Sequence, residues 1–367
     1  MMSPIEFRRA LHRHPELSFQ EHATAAFIGR ALTDAGIAWR PVAGTGILAR
    51  IEGRGDLRRA VVLRADIDAL PIEERAEVAW RSENPGVMHA CGHDLHAAVL
   101  YGTLCELREG DFEGTLFGLF QPGEECNPGG ASKVLAEDPF AGYAIRAVAG
   151  EHVEPDMEVG TLGFRPGKYM ASNDELRFTV RGRGGHAALR GQVQDTVRAA
   201  ARLILHLTRL NGRERILSIG RVEAPGATNV LPDEVRMEGT MRTFDEGVRR
   251  RLKERIAAIC RSLADREGME IIPDIRPGYP CVVNDPGLTA LAEELAREAG
   301  LRTAALELRP TSEDFGWYAA RYPSLFYRLG VGPGAGRTHT AAFCPREEAI
   351  HTGIGFMKRL ALKLTTP

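Results

Sequence analysis

Three short apolar runs in the first part of the chain are each followed closely by acids or histidine, and this recurrence constrains the fold more than any other feature. Arg59 to Arg64, Leu116 to Phe120 and Ala144 to Ala149 read as strands, with helix-like stretches from Ala97 to Leu107 and from Ala131 to Ala136 between them. That alternation predicts an α/β fold: a mostly parallel sheet flanked by helices. Ligand sites in such sheets gather at the carboxyl ends of strands. The segments that follow the three runs, Asp66-Ile-Asp68, Gln121-Pro-Gly-Glu124-Glu125 and Glu151-His152, therefore point to one site.

From about Lys168 the texture changes. Glu175 to Arg181, Ile216 to Gly220 and Val235 to Gly239 alternate in the half-exposed manner, with helix-like stretches from Val197 to Leu210 and from Arg249 to Ala264. This pattern predicts a smaller α+β domain with an antiparallel sheet. After Pro280 the chain returns to helix (Leu288 to Ala299), an apolar segment (Leu325 to Leu329) and a final helix. The simplest organisation is an insertion: residues 1–167 and 278–367 form one domain and residues 168–277 the inserted one. A chain of 367 residues suits two domains.

Composition excludes several classes. Lys and Arg number 47 against 49 Asp and Glu, so no net field gathers nucleic acid or an anionic membrane. No window approaches the roughly 18 apolar residues of a membrane span, and the N-terminus has no apolar segment of signal-peptide length. Six cysteines without a paired short-spacing framework suit a reducing compartment, and a cytoplasmic protein is expected. A small-molecule ligand fits best.

The densest chemistry lies in His89-Ala-Cys91-Gly-His93-Asp94-Leu-His96. Cys91 and His93, separated by glycine, can converge on one ion, and thiolate with imidazole suits zinc, cobalt, nickel or manganese better than calcium. A single Cys-x-His pair also arises by chance. Glu125, His152 and His339 also stand at the ends of strand-like segments, and together the five donors are enough for two ions that share a bridging ligand. The adjacent Glu124 and Glu125 suit a division of labour, one coordinating while the other takes a proton, although paired acids equally suit the opening of a helix.

These residues stand within a longer ordered set. Arg9-Ala-Leu-His12-Arg-His14-Pro-Glu16-Leu-Ser18, Leu63-Arg-Ala-Asp66-Ile-Asp68-Ala-Leu-Pro71, the Cys91 stretch, Gln121 to Glu125, Gly184-Gly-His186-Ala-Ala, Ala227-Thr-Asn229-Val-Leu-Pro232 and Ser312-Glu313-Asp314-Phe follow one another along nearly the whole chain. The set resembles the metal-dependent amidohydrolases of the aminoacylase and carboxypeptidase clan, most closely the hippurate hydrolase and indole-acetyl-amino-acid hydrolase branch.

The resemblance implies two divalent ions (Zn, Mn, Co or Ni), with Cys91 bridging them, His93 and His152 completing one and Glu125 and His339 the other. It implies Glu124 as the general base and later the acid in cleavage of an N-acyl amino acid, a small amino-acid conjugate or a dipeptide. The inserted domain becomes a lid and homodimer contact, and it brings His186 to polarise the substrate carbonyl, often from the partner subunit. Asn229 and Arg242 match positions near the substrate carboxylate, where a guanidinium fork fits a planar anion. For Arg242 a plain surface charge is the competing reading.

Asp66 and Asp94 are expected to orient ligating imidazoles, and His89 and His96 to be hydrogen-bonded scaffold residues. Two departures from the family pattern stand out: Leu189-Arg190 after His186, in place of Pro-His, and Glu151 before His152, where an extra carboxylate would alter metal affinity or repel an acidic substrate. Two other readings remain beside the amidohydrolase. One is a thiol hydrolase with Cys91 as nucleophile, which leaves Glu125, His152 and His339 without a task. The other is a binding protein that keeps the fold, against which the intact set of site residues argues.

Overall fold

The computed structural model describes residues 1–189 and 191–366. In chain order it has α1 (Pro4–Arg13), α2 (His22–Asp34), β1 (Ala38–Val42), β2 (Gly46–Glu52), β3 (Arg59–Asp66), α3 (His93–Leu107), β4 (Thr115–Gln121) and α4 (Gly130–Ala136). There follow β5 (Ala144–Glu154), β6 (Thr161–Phe164), β7 (Gly167–Met170), β8 (Asp174–Arg181), β9 (Gly185–His186), α5 (Thr196–Thr208), β10 (Arg215–Glu223), β11 (Val230–Leu231) and β12 (Glu234–Thr243). The chain ends with α6 (Glu246–Glu267), β13 (Glu270–Pro277), β14 (Val282–Asn284), α7 (Pro286–Glu298), β15 (Arg302–Ala305), α8 (Gly316–Ala319), β16 (Ser324–Gly330) and α9 (Ala349–Thr365).

The chain divides into two compact units, the first made of Met1–Tyr169, Val283–Glu307 and Asp314–Pro367 and the second of Met170–Val282 and Leu308–Glu313. The segment 308–313, which the sequence places with the first domain, groups with the second. Its backbone explains this: the Ala171 amide donates to the carbonyls of Arg309 and Thr311, at 3.1 Å each.

The first unit holds an eight-stranded sheet in the order β1-β2-β4-β3-β5-β16-β6-β15. Its centre is parallel, β3 with β4 and β5, and β5 with β16. The sheet is mixed toward its edges, because β2 runs antiparallel to β4 and β16 antiparallel to β6. Central strands are covered on both faces, which is why β3 and β4 read as continuous apolar runs rather than alternating ones. Helix α3 is buried at nearly every position, so its sequence shows almost no amphipathic face. It starts at His93, four residues before the apolar pattern suggests, because its first turn is polar and carries the site.

The second unit is a four-stranded antiparallel sheet, β10-β12-β8-β13, packed with α5 and α6. Leu176, Phe178 and Val180 of β8 point into a core with Leu203 of α5 and Ile256 of α6. Both helices start before their apolar patterns where aspartates cap them: Asp195 accepts from the Arg198 amide and Asp245 from that of Val248, while α5 ends at Thr208, short of Leu210.

Candidate metal centre

The parallel order β4-β3-β5 sets the carboxyl ends of these strands side by side, and the N-terminus of α3 meets them there. Gly92 stands between Cys91 and His93 at φ +89°, and a Cβ on it would lie 2.9 Å from Val153 Cγ2. Only glycine lets the chain turn there while both neighbours face inward. His339 arrives from a distant loop at φ +61°, its amide donating to the Ala90 carbonyl at 2.8 Å.

These turns converge on Cys91. Its Sγ lies 3.3 Å from His152 Nε2 and 3.3 Å from His339 Nε2. His339 Nε2 is in turn 3.2 Å from Glu125 Oε1. Two clusters of donor atoms, Cys91 with His93 and His152 and Cys91 with Glu125 and His339, each lie within 4.8 Å and share the cysteine. One buried donor in this cluster, His93 Nε2, has no hydrogen-bond partner. Buried polar atoms are rarely left so, and sulfur, nitrogen and oxygen donors around shared space fit borderline-soft divalent ions.

The protonation behaviour agrees. Hydrogen bonding to Cys91 and Glu125 pushes His339 up to about 10. For His93, burial opposes the proton, but Asp66, Cys91 and Asp68 outweigh it and hold the ring well above its ordinary value. The surroundings are anionic and favour positive charge. Burial, and then Arg328, keep His152 well below the usual imidazole range. Its Nδ1 donates to the Val153 carbonyl at 2.9 Å, which leaves the Nε2 lone pair toward Cys91. Burial and the Glu125 carboxylate push the Cys91 thiol up, so a thiolate here needs a neighbouring cation.

The carboxylates that orient the site differ from those expected. Asp68 is the acid that hydrogen-bonds a candidate ligand: its Oδ1 lies 3.2 Å from His93 Nδ1 and its Oδ2 accepts the Glu125 amide at 3.0 Å, while Asp66 Oδ2 stands 3.7 Å from His93 Nε2. Asp66 instead meets His96 Nδ1 at 2.6 Å and Arg64 at 2.7 Å. Asp94 is taken by Arg8 and His12, at 2.9 Å each, inside a buried network that extends through His12 to Glu74. The Asp-Ile-Asp motif contains the right residue, but past the end of β3 the strand alternation no longer says which carboxylate faces inward.

His96 has both ring nitrogens bonded, to Asp66 and to the Val153 amide. His89 is different: both its nitrogens are buried without partners, and burial pushes its pKa down to about 4, so it is a neutral ring and not the hydrogen-bonded residue expected. Glu151 also departs from expectation. It faces away from its neighbour His152 and accepts from Tyr327 Oη at 3.0 Å, and burial raises it to about 8. Near neutral pH it is largely protonated and repels no anion.

Glu124 is buried and groups with Glu125 and His93. His186, Asn229 and Arg242 belong to the second unit. His186 on β9 pairs with Val230 of β11, and the Asn229 carbonyl accepts the Ala187 amide at 2.8 Å, so the first two lie on one exposed two-stranded antiparallel ladder. Arg242 donates to the Pro310 carbonyl and to Ser312 Oγ at 3.2 Å each, holding the 308–313 segment. Of the Leu189-Arg190 departure, Leu189 is exposed and Arg190 lies outside the described residues.

The fold and the shared-cysteine cluster define a recognisable class. Residues 62–363 match the model of peptidase family M20/M25/M40. The chain belongs to this family. It is similar to N-acetylcysteine deacetylase of Bacillus subtilis, 37% identical over 98% of this chain and 96% of that one, and to N-acetyldiaminopimelate deacetylase of Geobacillus sp., 33% identical over 96% of each. Among solved structures it resembles a dinuclear metal-binding peptidase of the M20 family from Bacillus subtilis, with a TM-score of 0.88 and 36% identity, covering 99% of this chain and 97% of that one. A putative aminohydrolase from methicillin-resistant Staphylococcus aureus superposes with a TM-score of 0.92 at 30% identity, over 99% and 96% of the two chains.

Proposed function

We propose that this protein is a dinuclear metal-dependent amidohydrolase that cleaves the amide bond of N-acyl amino acids, releasing a carboxylic acid and a free amino acid. The observation that carries the reading is the pair of donor clusters that share Cys91, one of which contains the unpartnered His93 Nε2. His93 and His152 would hold one ion, Glu125 and His339 the other, and Cys91 both. When bound, such ions lower the pKa of a water and polarise a carbonyl.

The chain's own residues do the rest. Glu124 takes the proton of the attacking water and delivers it to the leaving amine, while the adjacent Glu125 stays with His339. His186 donates to the developing oxyanion and Asn229 and Arg242 receive the substrate carboxylate. The second unit acts as lid and homodimer contact. Relatives that deacetylate N-acetylcysteine and N-acetyldiaminopimelate support a small N-acetyl amino acid as substrate. Six free cysteines support a cytoplasmic location, and no helix among the described residues is long and apolar enough to cross a membrane.

The test is metal content of the purified protein together with amino-acid release from N-acetyl, N-benzoyl and dipeptide substrates before and after chelation. Two ions per chain and chelator-sensitive release from the N-acyl substrates support the reading; amide cleavage that survives complete metal removal overturns it.

A further inference from the structure

The backbone turn that presents Glu124 is held from outside its own segment. Gly123, with φ +63°, donates its amide to Glu21 Oε1 at 2.8 Å. Glu125 donates its amide to Asp68 Oδ2 at 3.0 Å, and that oxygen also accepts from Ser18 Oγ at 2.7 Å. The N–H groups on both sides of Glu124 are thus accepted by buried carboxylates, and a neutral loop would leave them to water. Thr45 Oγ donates to the second oxygen of Glu21 at 2.5 Å, which fixes the carboxylate plane.

Glu21 and Ser18 come from the loop between α1 and α2, about a hundred residues before the turn. Phe19, between them, sits at φ +60°, a region costly for a residue with a Cβ. Its ring closes on Gly123, where an added Cβ would fall 2.4 Å from Phe19 Cζ. Tertiary contacts hold the strained residue in place. Charge-assisted hydrogen bonds of this kind are roughly twice as strong as neutral ones, so the loop acts as a clasp on the turn.

We propose that Glu21 and Ser18 are positioning residues: Glu21 sets the backbone from which Glu124 projects, and Ser18 sets Asp68 and through it His93 and Glu125. The inference rests on the amidohydrolase reading for its effect on turnover, but the clasp itself is measurable without turnover.

The experiment compares wild type, Glu21→Ala, Glu21→Gln and Ser18→Ala as full chains. N-acetyl-L-cysteine is the probe substrate for Mn2+-loaded protein, Co2+ titration follows the metal-free protein, and amide hydrogen exchange is read over residues 121–126. Glu21→Ala is expected to lower kcat by about 10- to 100-fold with KM nearly unchanged, as a small misplacement of a catalytic group does, and to speed exchange over 121–126. Glu21→Gln keeps an acceptor for the Gly123 amide and restores kcat to within a few-fold of wild type. Ser18→Ala weakens Co2+ binding by about tenfold or more.

Wild-type kcat in folded Glu21→Ala, or a loss that Gln fails to rescue, overturns the role of Glu21. Should Glu21→Ala not fold, Ser18→Ala decides by exchange rate over 121–126 and Co2+ affinity, with wild-type values of both overturning the clasp. If wild type itself leaves the probe intact, the amidohydrolase reading loses its support, and the clasp stands or falls on exchange and Co2+ binding alone.

Discussion

Asp68 Oδ1 stands 3.2 Å from His93 Nδ1, and the same carboxylate accepts the Glu125 amide. One buried acid thus governs one candidate ligand from each half of the proposed centre. It fixes the His93 ring so that Nε2 faces the cluster. Asp68→Ala is expected to weaken divalent metal binding by about 10- to 100-fold, measured by titration of the metal-free protein. Unchanged affinity would return His93 to a structural role.

Glu124 lies beside the donors without being needed to complete either three-residue cluster around Cys91. Glu124→Gln should retain about two ions per chain, as the proposed ligand set is intact, while kcat falls by about 10²- to 10⁴-fold, the usual contribution of a general base. Metal analysis and kinetics on the same sample separate the roles. A variant that turns over at the wild-type rate would remove Glu124 as the base.

Gly92→Ala places a methyl in a left-handed backbone position with Val153 Cγ2 at 2.9 Å. The strain should cost about 1–3 kcal/mol and shift Cys91 against His93. Chemical denaturation and metal titration should both record it.

The Glu151 carboxyl, raised from 4.5 to about 8 by burial, makes stability depend on pH. The unfolded chain releases this proton near 4.5 and the folded chain only near 8. The contribution is therefore fully present below 4.5 and is lost as pH rises through 8. Glu151→Gln should flatten the decline in unfolding free energy between these values. Identical slopes in the two proteins would show that Glu151 is not held protonated.

His12 follows the same sign for a different reason. Burial opposes its proton, but Asp94 and Glu74 outweigh burial and raise it to about 9 from 6.5. The stabilisation is fully present below 6.5 and is lost as pH rises through 9. His12→Ala leaves Asp94 and Glu74 short of a buried partner and should cost about 3–5 kcal/mol, with a larger difference from wild type at pH 6 than at pH 10.

Much of this protein is legible in its residues taken in order. Burial on both faces writes β3 and β4 as continuous apolar runs and half-exposure writes β8 as an alternating one, while the aspartate caps that set the starts of α5 and α6 emerge only in the structure. Cys91, His93, Glu125, His152 and His339 are readable as donors because their side-chain chemistry is local and they fall close to strand ends or in motifs.

Direction and partnership are not local. The acid that hydrogen-bonds His93 is Asp68 rather than Asp66 or Asp94, because its orientation is fixed by the Glu125 amide and by Ser18, 50 residues away in sequence. Glu151, adjacent to His152, is harmless because Tyr327 from β16 receives it on the other face of β5. The sequence by itself determined which side chains carry chemistry and which segments form strands and helices, since both depend on residue type and short-range periodicity. Only the tertiary structure decided which of those side chains meet, because hydrogen bonds and burial between distant segments exist only after the chain has closed on itself.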